Sequence, residues 1–343
     1  MMKTINLNNY NQQQSQEINS SQNISCKNEN EEIEKRMKKE YKEVCLKTPF
    51  ETHKMQYEEK QKMFPTSCKH ENWSKNRYND ILCNEETRFL FKSNNCFKDS
   101  IDCISFDSIF NSSEETVEEE KYINANNIEG FYKCNNHYIA TQAPLENTFQ
   151  EFYEMIWQSK TNVVIALTSL VENGRVKMNQ YWPEKKKTFG VSQFEVSLVG
   201  EVKTGSDLVI RKLKVKNLCE NEERTIFQIH YTGWPDNGVP NDYQSFVQIY
   251  NYQKLFAQEG KKSGLNGSPI VHCSAGIGRT ATYIAFAFIA QLIDFVKTQS
   301  SSVTPFHIDV PSIVNHIRKQ RSGSVQNWEQ YAFIYSSVQF YKF

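Results

Sequence analysis

Residues 268–281 read SPIVHCSAGIGRTA. The run 268–273 is short and apolar, as a buried strand is; Gly276 and Gly278 then break the pattern, and an apolar helical pattern follows over 279–297. A loop that leaves a strand and enters a helix points several backbone N–H groups at one spot, where the helix dipole adds partial positive charge. Such a spot binds an oxyanion. The backbone of Ser274, Ala275, Gly276, Ile277 and Gly278 forms the cradle, the glycines permit the turn and a close approach, and the planar fork of Arg279 matches two phosphate oxygens. Cys273 stands at the origin of this cradle, after His272. Donors that attract phosphate also favour a thiolate over a thiol, which makes the cysteine a nucleophile aimed at phosphorus. The nucleotide-binding GxxxxGK[ST] loop is a different object, since this stretch lacks the lysine and begins with a cysteine. An isolated cysteine would be read as a small buried hydrophobe; the HCxxGxGR[ST] spacing between apolar strand and apolar helix points instead to covalent phosphoryl transfer.

The rest of the composition limits what surrounds this loop. The chain has 343 residues, 38% hydrophobic and 13% aromatic, enough apolar material for one large domain of roughly 250–300 residues. Lys plus Arg and Asp plus Glu balance at 40 each, so no net field recruits nucleic acid or an anionic membrane. Nine scattered cysteines without CxxC spacing argue against a disulfide framework and a zinc site, and predict a reducing, cytoplasmic setting with no metal and no cofactor. No secretory leader is legible at the start, and the apolar stretch 283–296 reads as a buried helix too short and too polar to span a bilayer.

Along the chain, residues 1–30 are rich in Asn, Gln and Ser and are expected to be disordered. Residues 31–49 are charged and helix-favouring, with sparse apolar positions at Ile33, Met37, Tyr41 and Val44; they read as a solvated helical linker, or else as a segment that binds a partner. The remainder, 50–343, reads as one catalytic domain. Phe149, Phe152, Tyr153, Ile156 and Trp157 fall at helical spacing behind Asn147 as a candidate cap. NVVIALTSL (162–170) is a β-branched run, and 194–232 alternates between turn signals as antiparallel strands do. The fold expected is α+β: a central twisted mixed β-sheet flanked by helices, with the phosphate loop between a strand and a helix.

The stretch HCSAGIGRTA (272–281) resembles the protein tyrosine phosphatase family, whose loop reads HCSAGxGRTG; the match is verbatim except at Ala281, where the family usually has Gly. KNRYNDIL (75–82), YINANNI (122–128), YIATQAPL (138–145), QYWP (180–183), HYTGWPDNGVP (230–240) and QNWEQYAFIY (326–335) resemble that family in the expected order, so the resemblance covers about 50–340. A phenolate is a poor leaving group, so a general acid is needed, and Asp236, bracketed by Trp234, Pro235, Gly238 and Pro240, matches the family's acid on a closing loop. The resemblance implies further roles. Tyr78 walls a pocket deep enough for phosphotyrosine, Asp80 holds the substrate backbone, and Gln326, supported by Gln330, positions water for hydrolysis of a phosphocysteine. Glu172 orients Arg279, Lys177 contacts the acid loop, and Thr280 stabilises the departing thiolate. Tyrosine-phosphorylated proteins are then the expected partners.

Two departures stand out. Asn79 replaces a basic residue common in relatives, which predicts weaker selectivity for acidic substrate flanks, and some two dozen extra residues lie between KNRYNDIL and YINANNI, acidic at EETVEEE (114–120). Two rival readings remain open at this level. A dual-specificity or phosphoinositide phosphatase shares the cysteine loop but lacks KNRY, and a catalytically silent phosphotyrosine-binding module would have lost its acid or nucleophile.

Overall fold

The computed structural model describes residues 31–47, 55–92, 120–132, 136–190, 193–235, 238–240, 243–299 and 308–341. The Asn/Gln-rich start, most of the acidic insertion (93–119) and Asp236 lie outside them. The strands are β1 (Ala125–Ile128), β2 (Tyr138–Thr141), β3 (Val163–Ala166), the small hairpin β4 (Val171–Glu172) and β5 (Arg175–Val176), β6 (Lys186–Phe189), β7 (Phe194–Thr204), β8 (Leu208–Asn217), β9 (Glu222–Tyr231) and β10 (Ile270–His272). Eight of them form one sheet in the order β1-β2-β10-β3-β9-β8-β7-β6. The four central strands β2, β10, β3 and β9 are parallel, and the strands outside them pair antiparallel, so the sheet is mixed. The helices are α1 (31–47), α2 (Tyr57–Met63), α3 (His70–Trp73), α4 (Phe149–Gln158), α5 (Tyr243–Lys262), α6 (Arg279–Gln299), α7 (Val310–Gln320) and α8 (Trp328–Tyr341).

The period-two alternation of a strand sorts the core into two layers. Val163, Ile165 and Leu167 face a cluster with Phe246, Tyr283 and Phe286, whereas Val164, Ala166 and Ile270 face Phe152, Tyr153 and Ile156 of α4. β10 is covered on both faces, which is why its sequence is a continuous apolar run. Each large side chain buried this way contributes about 1.5–3 kcal/mol. Parallel strands have their carboxyl ends on one edge of a sheet, and ligands of such sheets bind in the crevice outside that edge. The loops after β3, β9 and β10 therefore converge there.

Two expectations need correction, and one needs a finer account. Asn147 does not cap α4: its amide donates to the Ser74 carbonyl at 3.0 Å, and a 3-10 turn, Glu146–Thr148, leads into the helix, with the Leu145 N–H donating to Thr148 Oγ1 at 2.9 Å. The helix expected over 279–297 is present as Arg279–Gln299. Arg279–Thr298 is long and apolar enough by length and composition to cross a membrane, and what marks it as a core helix is that 78% of its most apolar window is buried inside the protein. Finally, α1 is not a solvated linker. Val44 is 1% exposed within the core, and Met37 and Tyr41 pack beside it: positions 37, 41 and 44, legible in the sequence as sparse apolar positions, form one stripe whose partner is the domain itself.

Candidate active site

β10 delivers Cys273 to the crevice edge, and six residues later α6 begins at Arg279. Between them the carbonyls of residues 274–277 are tied outward. The Ser274 carbonyl accepts from the Ala143 N–H at 3.0 Å, those of Ala275 and Gly276 accept from the Arg321 guanidinium at 3.1 and 2.7 Å, and that of Ile277 accepts from the Val325 N–H at 2.9 Å. In a planar trans peptide the N–H points opposite to the C=O, so the N–H groups of residues 275–278 are turned inward together. The inward sense is visible where the Gly276 N–H donates to Cys273 Sγ at 3.2 Å. Gly276 is obligatory: its φ is +75°, and a Cβ there would stand 2.2 Å from the Thr141 carbonyl oxygen. Gly278 differs: a Cβ would stand 2.3 Å from Gln326 Oε1, the tip of a flexible side chain, so a larger residue there would displace Gln326.

Arg321 is fully buried and its remaining donors go to Asn126 Oδ1 and Asn124 Oδ1 at 2.7 and 2.8 Å. Burial lowers its pKa from the ordinary value, yet a guanidinium stays charged, so a cation lies directly beneath the loop. Behind Cys273, His272 is also fully buried. Its Nδ1–H donates to the Cys273 carbonyl at 3.2 Å, which leaves Nε2 to accept the Tyr181 hydroxyl at 2.9 Å. Desolvation pushes the imidazole down to about 3, so His272 is neutral and acts by fixing the strand end rather than by transferring protons.

Arg279 is held in a fork. Its Nη1 and Nη2 donate to the two carboxylate oxygens of Glu172 at 2.6 and 2.8 Å, Nη1 also reaches Thr168 Oγ1 at 3.1 Å, and Nη2 reaches the Pro235 carbonyl at 3.3 Å. Glu172 sits on the β4–β5 hairpin, whose Asn173-Gly174 turn has φ of +48° and +73°, the two-residue turn that such dipeptides favour. The Thr168 hydroxyl donates to the same carboxylate at 2.8 Å. The pair therefore fixes the guanidinium plane at the mouth of the cradle.

A cleft of about 490 Å³ opens over the loop and is lined by Tyr78, Asp80, Glu172, Lys177, Trp234, Cys273, Ser274, Ala275, Arg279, Gln326 and Gln330, residues drawn from segments up to 252 positions apart (330 − 78). The Ser274 hydroxyl donates to the Lys177 carbonyl at 2.8 Å and so accepts from Tyr78, whose oxygen is 2.8 Å away; this fixes the Tyr78 ring as one wall. Asp80 is exposed at the rim. Trp234 is buried, donates to the Gly238 carbonyl at 3.0 Å and packs at tilted angles against Phe246 and Phe333, which ties residue 234 to residue 238 on the two sides of Asp236. The Gln326 N–H donates to Gln330 Oε1 at 2.9 Å.

Not every expected role has a contact. Thr280 is buried, and its hydroxyl has no hydrogen-bond partner among the described residues, Cys273 Sγ included. Its assignment to the departing thiolate rests on the sequence pattern alone. Conversely, Thr168 and Arg321 were not singled out from the sequence, because a threonine after a strand and an arginine in a polar run have no local signature; Tyr41 was read only as an apolar position of a charged helix.

Comparison with known proteins agrees with this geometry. Residues 72–340 match the family model described as protein-tyrosine phosphatase. Similar proteins include receptor-type tyrosine-protein phosphatase eta of Gallus gallus, 33% identical over 269 residues that make up 78% of this chain and 16% of that protein. Tyrosine-protein phosphatase non-receptor type 4 of Mus musculus is 34% identical over 271 residues, 78% of this chain and 25% of its own length, and tyrosine-protein phosphatase 3 of Dictyostelium discoideum is 32% identical over 268 residues, 78% and 24%. The matched region spans between about a sixth and a quarter of these relatives.

Proposed function

We propose that this chain, which belongs to the protein-tyrosine phosphatase family, hydrolyses phosphotyrosine in proteins by way of a phosphocysteine. The observation that carries the reading is the loop around Cys273: outward carbonyls, inward N–H groups and a clamped Arg279 at the start of α6. In the first step the thiolate of Cys273 attacks phosphorus, the S–P bond forms as the P–O bond to tyrosine breaks, and Asp236 gives its proton to the departing phenolate. The inward N–H groups and Arg279 receive the charge that builds on the equatorial oxygens. In the second step Gln326 holds a water, Asp236 takes its proton, the oxygen bonds to phosphorus and the thiolate leaves. No external reductant or oxidant is needed, because the thiolate is regenerated.

The wall formed by Tyr78 favours a long, planar phosphoaryl side chain over phosphoserine, which weighs against a dual-specificity or phosphoinositide reading. Asn79, exposed beside it, offers no charge to acidic flanking residues. A cytoplasmic location belongs to the same proposal; the non-receptor relative supports it, although receptor-type relatives match as well. The test is Cys273→Ser. A hydroxyl is not ionised at neutral pH, so turnover of an aryl phosphate should fall below about a hundredth of wild type while binding of a phosphotyrosine peptide survives. Higher residual turnover would reject Cys273 as the nucleophile.

A further inference from the structure

Val325 has φ of +57°. A β-branched residue in the left-handed region is a genuine outlier, and such residues persist only where their surroundings over-determine them. Val325 is fully buried, its N–H donates to the Ile277 carbonyl of the phosphate loop at 2.9 Å, and its own carbonyl accepts the Tyr41 hydroxyl at 2.9 Å, with Arg318 Nη1 more distant at 3.5 Å. The next residue is Gln326, whose carboxamide lies against Gly278. The backbone bend at Val325 thus sets where the Gln326 side chain points.

Tyr41 comes from α1, outside the matched region 72–340. Its helix is pinned over α8: the Tyr331 and Tyr335 hydroxyls both donate to the Glu40 carboxylate, Lys38 Nζ stands 4.6 Å from the Trp328 ring centroid, and the Tyr41 and Tyr331 rings lie 5.7 Å apart. Those hydrogen bonds hold the register of α1 against the start of α8, which is also the segment that follows Gln326.

We propose that Tyr41 is a positioning residue for the second chemical step: by holding the Val325 carbonyl it keeps the strained bend that aims Gln326 at the phosphate loop. This rests on the reading of Gln326 as the group that places the hydrolytic water. Formation of the phosphocysteine uses Cys273, Arg279 and the inward N–H groups; Tyr41 touches none of them, and the bend it holds reaches the loop only through the Val325 N–H on the Ile277 carbonyl, so the first step should be far less sensitive to it than the second. When only breakdown of a covalent intermediate is slowed, kcat and KM fall together and kcat/KM does not change.

The experiment is stopped-flow hydrolysis of para-nitrophenyl phosphate by the full chain, comparing wild type, Tyr41→Phe, Gln326→Ala and the double variant. Tyr41→Phe removes one hydroxyl and should lower kcat by roughly three- to ten-fold, the range of one hydrogen bond. kcat/KM should stay within about two-fold, which also verifies folding, and a burst approaching one nitrophenolate per protein should appear. In the double variant Tyr41→Phe should add nothing to Gln326→Ala, because the two act through one group. An unchanged kcat in Tyr41→Phe, a fall of kcat/KM in step with kcat, or additive losses in the double variant would each overturn the role of Tyr41 while leaving Gln326 in place. A Gln326→Ala enzyme with wild-type kcat and no burst would instead overturn the reading of Gln326, and this inference with it.

Discussion

The guanidinium of Arg321 donates to the Gly276 carbonyl at 2.7 Å from a fully buried position beneath the phosphate loop. That one bond, with its neighbour to Ala275, turns two peptide planes so that their N–H groups face the crevice. The proposed anion site is therefore built from below by a buried cation.

Arg321→Lys keeps the charge but cannot reach four acceptors from one ammonium. Breaking a buried charged network costs several kcal/mol in typical cases, so the melting temperature should fall. The inhibition constant for inorganic phosphate should rise at least about ten-fold at a temperature where the variant is still folded. Wild-type phosphate affinity would reject the proposed control of the loop by Arg321.

Glu172→Ala removes the bidentate partner of Arg279. Hydrogen bonds to charged groups are worth about 1.5–3 kcal/mol, so kcat/KM for an aryl phosphate should fall roughly 10- to 100-fold. Steady-state kinetics at saturating and limiting substrate measures this directly, and a loss below about three-fold would mean that the Thr168 hydroxyl and the Leu167 carbonyl, 3.4 Å from Nη1, hold the guanidinium without it.

Asp236→Ala removes the proposed acid and leaves the ground-state contacts of Arg279 and Tyr78 in place. Turnover should drop by about 10²–10⁴-fold with KM unchanged or lower. The variant should then retain tyrosine-phosphorylated proteins from a lysate, release them to vanadate and ignore proteins phosphorylated only on Ser or Thr. Capture dominated by phosphoserine proteins would remove Tyr78 as the gauge of depth.

His272 links stability to pH. Its folded pKa of about 3 lies below the unfolded value of 6.5, and His230, desolvated in the same way, lies at about 4. Because the unfolded chain binds the protons more readily, the stability contributed by keeping these rings neutral is complete above about pH 6.5 and is lost as pH falls toward 3. In denaturant titrations between pH 6 and 4, His272→Gln should reduce the pH slope of the unfolding free energy by roughly 1.4 kcal/mol per unit. An unaltered slope would show that the ring is protonated in the fold.

The local pattern alone was enough for the strand, the two glycines and the helix around Cys273, since a buried parallel strand, a turn with φ above zero and an apolar helix each carry their own periodicity. The alternation over 194–232 likewise yielded β7, β8 and β9. Boundaries and caps were less legible: whether Asn147 caps a helix or donates to Ser74 depends on a carbonyl 73 residues away.

What only the tertiary structure decided is which groups share a contact. Glu172 and Arg279 are 107 positions apart, and no periodicity couples a hairpin carboxylate to a helix start; the family resemblance implied their pairing, but its physical cause is the parallel strands placing both loops at one edge of the sheet. Arg321 and Tyr41 act through backbone carbonyls, which every residue possesses, so their partners leave no trace in residue type. The sequence determined the chemistry available at Cys273, because reactivity is a property of side chains and local turns. The orientation of that chemistry was decided by long-range hydrogen bonds to the backbone, which form only when distant segments fold against one another.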